Sequence, residues 1–227
     1  MLFRSVLALL LTSASALFLD EAGVTDWSRS GLGAFKAAAF QARRLYVATE
    51  LGVLAGLNTR TGQIAWRRVY PEGAAIDSMK VGKGTIATLS EGGRMLHLWS
   101  SVDGALLWDA PVGRDGASAG AASLLHVQDA AGMVQQGIAA MSGGGVVEMR
   151  GMKAGNQAWQ WSDPSGQLRP AALLQLRDAT ATNTGVLYVL CAKQGGSNDD
   201  AVVVSLDAMS GEMVDSVTHA GAAPGGK

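Results

Sequence analysis

A glycine followed four residues later by a tryptophan recurs along this 227-residue chain, and that spacing limits the folds open to it more than any other feature. "LNTRTGQIAWRR" sets Gly62 before Trp66, "SSVDGALLWDA" sets Gly104 before Trp108, and "GMKAGNQAWQW" sets Gly155 before Trp159. Near the start, "EAGVTDWSRS" sets Gly23 before Trp27, and near the end "DAMSGEMVDSV" keeps Gly211 with Asp215 in the tryptophan's place. The internal glycines are 42, 51 and 56 residues apart. A repeat of about 40 to 50 residues with a strand-turn-strand cue in each unit is the mark of propeller blades.

Reading backward from each corner finds three apolar runs broken by turn signals, with a fourth run after it. Unit one has "GAFKAAAF", "RLYVAT", "VLAGLN" and "QIAWRRV"; unit two has "AAIDSMKV", "GTIATLS", "RMLHLWS" and "ALLWDAP". Unit three has "AASLLHVQ", "GIAAMS", "GVVEMR" and "NQAWQWS", and unit four has "PAALLQLR", "GVLYVLCA", "AVVVSLD" and "GEMVDSV". The expected fold is all-β, a partial β-propeller of about four four-stranded antiparallel blades near 33–70, 74–111, 119–162 and 170–218. In each corner the glycine provides positive φ. The tryptophan falls on the last strand with its ring toward the neighbouring unit, where burial removes roughly 150 to 250 Å² from water. A rival reading makes "AAAFQARRLYVATELGVLAGL" one helix, because its residues favour helices. Gly52 and Gly56 interrupt it, and the same region of later units is rich in Val, Ile and Thr.

The chain opens with Arg4, an apolar run from Val6 to Leu11, and Ala14 and Ala16 in an A-x-A pattern. These are the parts of a cleavable signal over residues 1–16. The run is too short for a bilayer span of about 20 residues, and no later stretch is long and apolar enough to make one. The Gly23–Trp27 copy has a final strand, near 24–29, without the three that should precede it. In a closed ring such a strand completes the blade made by the other end of the chain. Unit four already owns its final strand and residues 219–227 read as a flexible tail, so the chain is expected to be the front part, residues 20–218 forming the propeller segment, of a longer protein.

Chemistry-bearing patterns are few. The composition, 48% hydrophobic and 16% charged, is that of a globular protein. A net charge of -1 with pI near 6.3 offers phosphates no overall basic balance, so nucleic acid is not an expected partner. The doublets Arg43–Arg44 and Arg67–Arg68 read as solvated strand ends. His97, His126 and His219 form no pair at metal-ligand spacing. Asp199 and Asp200 fall short of the six to eight oxygens calcium takes. The glycines at 143–145 precede a strand, no dinucleotide or P-loop pattern occurs, and no G-x-S-x-G elbow is expected, which leaves a hydrolase triad without a nucleophile. Cys191, the only cysteine, reads as a buried thiol in an apolar strand. The expectation is therefore no catalytic, cofactor-binding or metal-ligating residue, with the tryptophans serving as blade plugs.

The corner "LNTRTGQIAWRR" resembles the pyrroloquinoline-quinone-type propeller repeat, in which Asp or Asn precedes a T-G and a Trp follows. Three families with such repeats differ in what else they require. Quinoprotein dehydrogenases, the alternative enzyme reading as a secreted or periplasmic protein, carry a vicinal cysteine pair under the cofactor and acidic calcium ligands. Cys191 alone does not supply that pair. A bacterial outer-membrane assembly lipoprotein needs a cysteine just after the signal, and "SASALFLDE" has none. The segments "DEAGVTDWSRSGLG", "LYVATELGVLAGLNTRTGQIAWRR" and "EGGRMLHLWSSVDGALLWD" most resemble the opening of the ER membrane protein complex subunit 1 family. The resemblance is specific over residues 20–109 and blade-like beyond. It implies a lumenal, non-catalytic scaffold within an ER membrane complex that inserts transmembrane helices and tail anchors. It also implies other subunits and membrane-protein clients as partners, and no cofactor. In that family the anchor lies near the far C-terminus, a segment this chain does not contain.

Overall fold

The computed structural model describes residues 27–70, 75–113, 123–127, 137–142, 145–175, 186–193 and 201–219. The chain divides into two units, Met1–Gly31 and Leu32–Lys227. In the first, residues 27–30 form no strand and Trp27 is half-buried. The signal over 1–16, Gly23, the first half of the closing strand expected near 24–29, and the tail from 220 onward lie outside the described residues.

The second unit is built of four antiparallel sheets, each a meander with its strands in chain order. The first blade is β1 (Phe35–Gln41), β2 (Arg44–Thr49), β3 (Val53–Asn58) and β4 (Ile64–Val69). The second is β5 (Ile76–Gly82), β6 (Thr85–Ser90), β7 (Met95–Ser100) and β8 (Leu106–Pro111). The third is β9 (Ser123–Val127), β10 (Gly137–Ser142), β11 (Val146–Gly151) and β12 (Gln157–Trp161). The fourth is β13 (Leu168–Gln175), β14 (Val186–Lys193), β15 (Ala201–Asp207) and β16 (Met213–His219). The stretch that could have been a helix is β1 to β3, where two short turns and β-favouring Tyr46, Val47, Thr49 and Val53 outweigh the helix formers.

Burial along the strands follows from their place in the stack. Middle strands lie between neighbouring sheets, so β2 and β3 are buried over runs rather than on alternate residues. Fourth strands are edges, and β4 buries only Trp66. In the last blade the alternation is clean: Leu187, Val189, Cys191, Val202, Val204 and Leu206 are buried while their strand neighbours are half-buried or, at Ala192, exposed.

The first strands of successive blades touch in series, β1 on β5, β5 on β9 and β9 on β13, so first strands are innermost and fourth strands form the rim. Three apolar cores fill the gaps between sheets. Tyr46, Leu54, Ile76 and Ile86 close around Trp66 between blades one and two. Leu89, Leu96, Leu98 and Ile138 close around Trp108 between blades two and three. Met141, Met149, Leu187 and Val204 close around Trp159 between blades three and four.

Candidate functional site

The repeated corners are the places where one blade grips the next. Each is a four-residue turn whose last residue is a glycine with φ between 65° and 73°, at Gly62, Gly104, Gly155 and Gly211. The glycine N–H donates to the carbonyl four residues back: Gly62 to Asn58, Gly104 to Ser100, Gly155 to Gly151 and Gly211 to Asp207, at 2.8–3.0 Å. The first residue often caps the turn. Asn58 Oδ1 accepts from the N–H groups of Arg60 and Thr61, and Asp207 Oδ1 accepts from those of Met209 and Ser210. A bulge follows in every blade, at Gly56/Leu57, Leu98/Trp99, Met149/Arg150 and Ser205/Leu206.

The tryptophan four residues on does not pack against its own glycine. It lies on the glycine of the following blade. A methyl group on Gly104 would stand 2.5 Å from Trp66 Cε3, one on Gly155 would stand 2.7 Å from Trp108 Cε3, and one on Gly211 would stand 2.5 Å from Trp159 Cδ2. No real Cβ tolerates such distances, so the seat exists only because the residue is glycine. The indole N–H then reaches the carbonyl three residues before the seating glycine. Trp66 Nε1 donates to Ser101 O at 3.2 Å, Trp108 Nε1 to Met152 O at 2.8 Å and Trp159 Nε1 to Ala208 O at 3.0 Å. Glycine is thus required twice, for its positive φ and as a platform for the preceding blade's ring. Sequence reading supplied only the first reason. Asp215, in the tryptophan's position on β16, is exposed and pairs with Ser205. Gly23 lies outside the described residues, and Trp27 belongs to the first unit.

Charged side chains reinforce the joints. Arg68 donates from Nε to Gly104 O at 2.8 Å and from Nη2 to Asp103 O at 3.1 Å, holding the rim of blade one to the corner of blade two. Glu148 is 1% exposed and pairs with Arg150 at 2.8 Å. Its other oxygen accepts from Gly113 N–H at 2.7 Å, and Arg150 donates to Pro111 O and Gly155 O. The pair therefore straps the end of blade two to blade three. Lys36 on β1 reaches Asp77 on β5 at 3.4 Å. These contacts escaped the sequence reading. The i, i+2 placement of Glu148 and Arg150 on one face of an otherwise apolar strand was the available signal.

Among the described residues, the chemistry-bearing candidates take part in packing and hydrogen bonding between blades. Between blades one and two, Trp99 Nε1 donates to Thr88 Oγ1 at 2.9 Å and to the Tyr70 hydroxyl at 3.1 Å, and the Tyr70 and Thr88 hydroxyls bond to each other. Burial pushes the Tyr70 phenol above its ordinary value against the opposing effect of those hydrogen bonds, so it stays protonated. His97 sits edge-on to Tyr70 at 4.8 Å and stacks on Trp99 at 5.8 Å, its buried Nδ1 without a partner. Burial lowers its pKa, opposed by the charges of Asp109 and Glu91. Burial, with the Asp163 charge adding to it, pushes the Cys191 thiol up to about 11, which leaves little thiolate. Five of the six tryptophans, Trp66, Trp99, Trp108, Trp159 and Trp161, are buried in the cores and present no sugar-binding platform. Among the described residues no group of three His, Cys, Asp or Glu could hold a metal, and no helix is long and apolar enough to cross a membrane. Asp199, Asp200 and the side chain of His126 lie outside the described residues. One correction concerns the hydrolase motif. Residues Gly116 to Gly120 do spell G-x-S-x-G, around Ser118 and outside the described residues. The motif's chemistry requires a strand-to-helix turn, whereas both neighbouring elements, β8 and β9, are blade strands.

Comparison with known proteins agrees with this geometry. The family model for the EMC1 N-terminal beta-propeller domain matches residues 16–223. ER membrane protein complex subunit 1 of Gallus gallus is 34% identical over 190 residues, covering 81% of this chain and 18% of the relative. The Xenopus laevis protein of that name is 35% identical over 114 residues, covering 46% of this chain and 11% of the relative. The chain thus spans less than a fifth of the length of the curated relatives it matches. Among solved structures, BamB from Moraxella catarrhalis superposes with a TM-score of 0.58 at 20% identity, over 80% of this chain and 47% of that one. The Neurospora crassa Pan2 WD40 domain gives 0.54 at 14% identity, over 82% and 50%. At these identities the two structures speak for the propeller fold alone.

Proposed function

The chain belongs to the EMC1 N-terminal beta-propeller family, and from that premise we propose that it serves as a non-catalytic lumenal scaffold of an ER membrane complex, supporting insertion of transmembrane helices and tail-anchored proteins. The observation that carries this reading is the family match over residues 16–223. The use of the molecule's chemically capable side chains supports it. The five buried tryptophans, the Glu148–Arg150 pair and the Tyr70–Thr88–Trp99 network are spent on holding blades together. What the blades offer outward is a rigid set of turns on a packed framework, the kind of surface that positions partner subunits.

Two measurements test the reading. Epitope-tagged protein expressed with its native start is recovered from detergent-solubilised ER membranes together with the other subunits of the complex, and it is protected from added protease until the membrane is opened. Recovery alone, or digestion in intact vesicles, would overturn it. The quinoprotein alternative is separated by absorbance spectra of purified protein mixed with pyrroloquinoline quinone and calcium. The scaffold reading predicts the spectrum of free cofactor, and a bound, reducible species would reverse the ranking.

A further inference from the structure

The strands run so that in each blade the turn between the first and second strands emerges on the same side as the glycine corner between the third and fourth. The two turns are stitched together, Thr59 N–H to Arg43 O in blade one and Ser101 N–H to Gly84 O in blade two, both at 3.1 Å. On this corner face, charge is segregated in a way the net charge of -1 conceals. Arg43 and Arg60 are exposed on blade one, Lys83 on blade two and Lys153 on blade three. Among the described residues none of these four has an ion-pair partner. The corner of blade two adds one acid, Asp103, whose carboxylate accepts from Ala105 N–H in its own turn, so the cations outnumber it on blades one and two. Asp207 and Glu212 belong to the corner of blade four, at the far end of the arc.

A second observation points to a missing acceptor. Arg44, the first residue of β2, is half-buried on the strand face that carries Tyr46 and Ala48 into the gap between blades one and two. Its Nη1 is buried without a hydrogen-bond partner. That inner nitrogen carries a desolvation cost, and since the residue as a whole is only half-buried, a carboxylate at the mouth of the gap would offset the charge of the guanidinium.

We propose that the corner face of blades one and two, centred on Arg43, Arg44, Arg60 and Lys83, docks an acidic extended segment of a partner protein. The proposal rests on the scaffold reading and adds the chemistry of the partner. The exposed guanidinium groups of Arg43 and Arg60 present forked donors that match carboxylates in pairs. A bilayer is the poorer occupant. The exposed large apolar residues at this end of blades one and two are Phe40, at 75% exposure, and Val102, at 70%, one on each blade rather than the continuous apolar face that an interfacial anchor buries. The acidic corner of blade four sets the limit of the site, because like charge there repels an acidic segment.

The test is fluorescence anisotropy of a labelled ten-residue glutamate-rich peptide against the purified chain, with vesicles containing 30% phosphatidylserine as the second probe. The expected result is saturable peptide binding that weakens with added salt. Arg43→Glu/Arg60→Glu/Lys83→Glu should weaken binding at least tenfold, roughly what three exposed ion pairs supply, while circular dichroism and melting stay as in the parent. Lys153→Glu should weaken it less. No binding, binding unchanged by the triple variant, or vesicle binding without peptide binding would overturn the proposal. If the triple variant still co-purifies with the membrane complex while losing the peptide, the scaffold reading stands and this surface serves a different partner. Loss of co-purification by the parent chain would sink that reading on its own.

Discussion

Substituting Gly104 by alanine tests the joint between blades one and two, because the added methyl would stand 2.5 Å from Cε3 of Trp66. Two costs follow. Alanine at φ 69° costs roughly 1–2 kcal/mol, and forcing the indole off its platform adds about 1–3 kcal/mol of overpacking. Gly104→Ala should therefore destabilise by about 2–5 kcal/mol, and Trp66→Ala by about 3–5 kcal/mol through the lost ring. The informative quantity is the double variant. Once the ring is gone, the methyl has nothing to strike, so the glycine substitution should cost only the roughly 1–2 kcal/mol of backbone strain. That leaves a coupling of about 1–3 kcal/mol between residues on different blades. Gly84 is the control: its φ is +79° with nothing within 4 Å of an added methyl, so its alanine variant should cost the same with or without Trp66. Urea unfolding followed by far-ultraviolet circular dichroism measures all of these. Gly104→Ala costing equally in both backgrounds would refute the seat.

Other expectations follow from the same joints. Breaking the buried pair with Glu148→Ala should destabilise by about 3–5 kcal/mol, because Arg150 is left with a buried charge, and Glu148→Met/Arg150→Met should recover most of it; chemical denaturation compares them. His97 is held neutral by burial, so as pH falls below about 6.5 the unfolded chain takes up the proton first. Stability present above that pH should decline down to the depressed folded-state value and then level off. His97→Phe should flatten this dependence in melting curves taken from pH 7.5 to 5. The Cys191 thiol, buried with its pKa pushed up to about 11, should react with a thiol reagent only after denaturant is added; labelling of the native protein as fast as the unfolded one would contradict its burial.

The strand order and blade count were legible because each rests on local signals. Apolar runs such as "RLYVAT" and "AVVVSLD" have strand length and composition, and the corner glycines punctuate them at a regular period. The direction of each tryptophan toward a neighbouring blade was also legible, since an edge strand has only one buried side. Its seat was not. That Trp66 lies on Gly104 rather than Gly62 depends on how two sheets stack, which no spacing within one blade records. The strap made by Glu148 and Arg150 was hidden for a similar reason: two charges in an apolar strand become a buried pair only when Gly113 and Pro111 of the previous blade close over them. The corner-face charges escaped because net charge averages over sides of the molecule that only the fold separates.

The most direct measurement of the central claim is hydrogen exchange at the indole Nε1 positions of Trp66, Trp108 and Trp159, read by nuclear magnetic resonance of the native protein. If each ring is seated on the next blade with its N–H on a corner carbonyl, all three protons should exchange far more slowly than free indole, and Gly155→Ala should release that of Trp108 first. Rapid exchange at these three positions in a folded chain, or slow exchange indifferent to that substitution, would contradict the account.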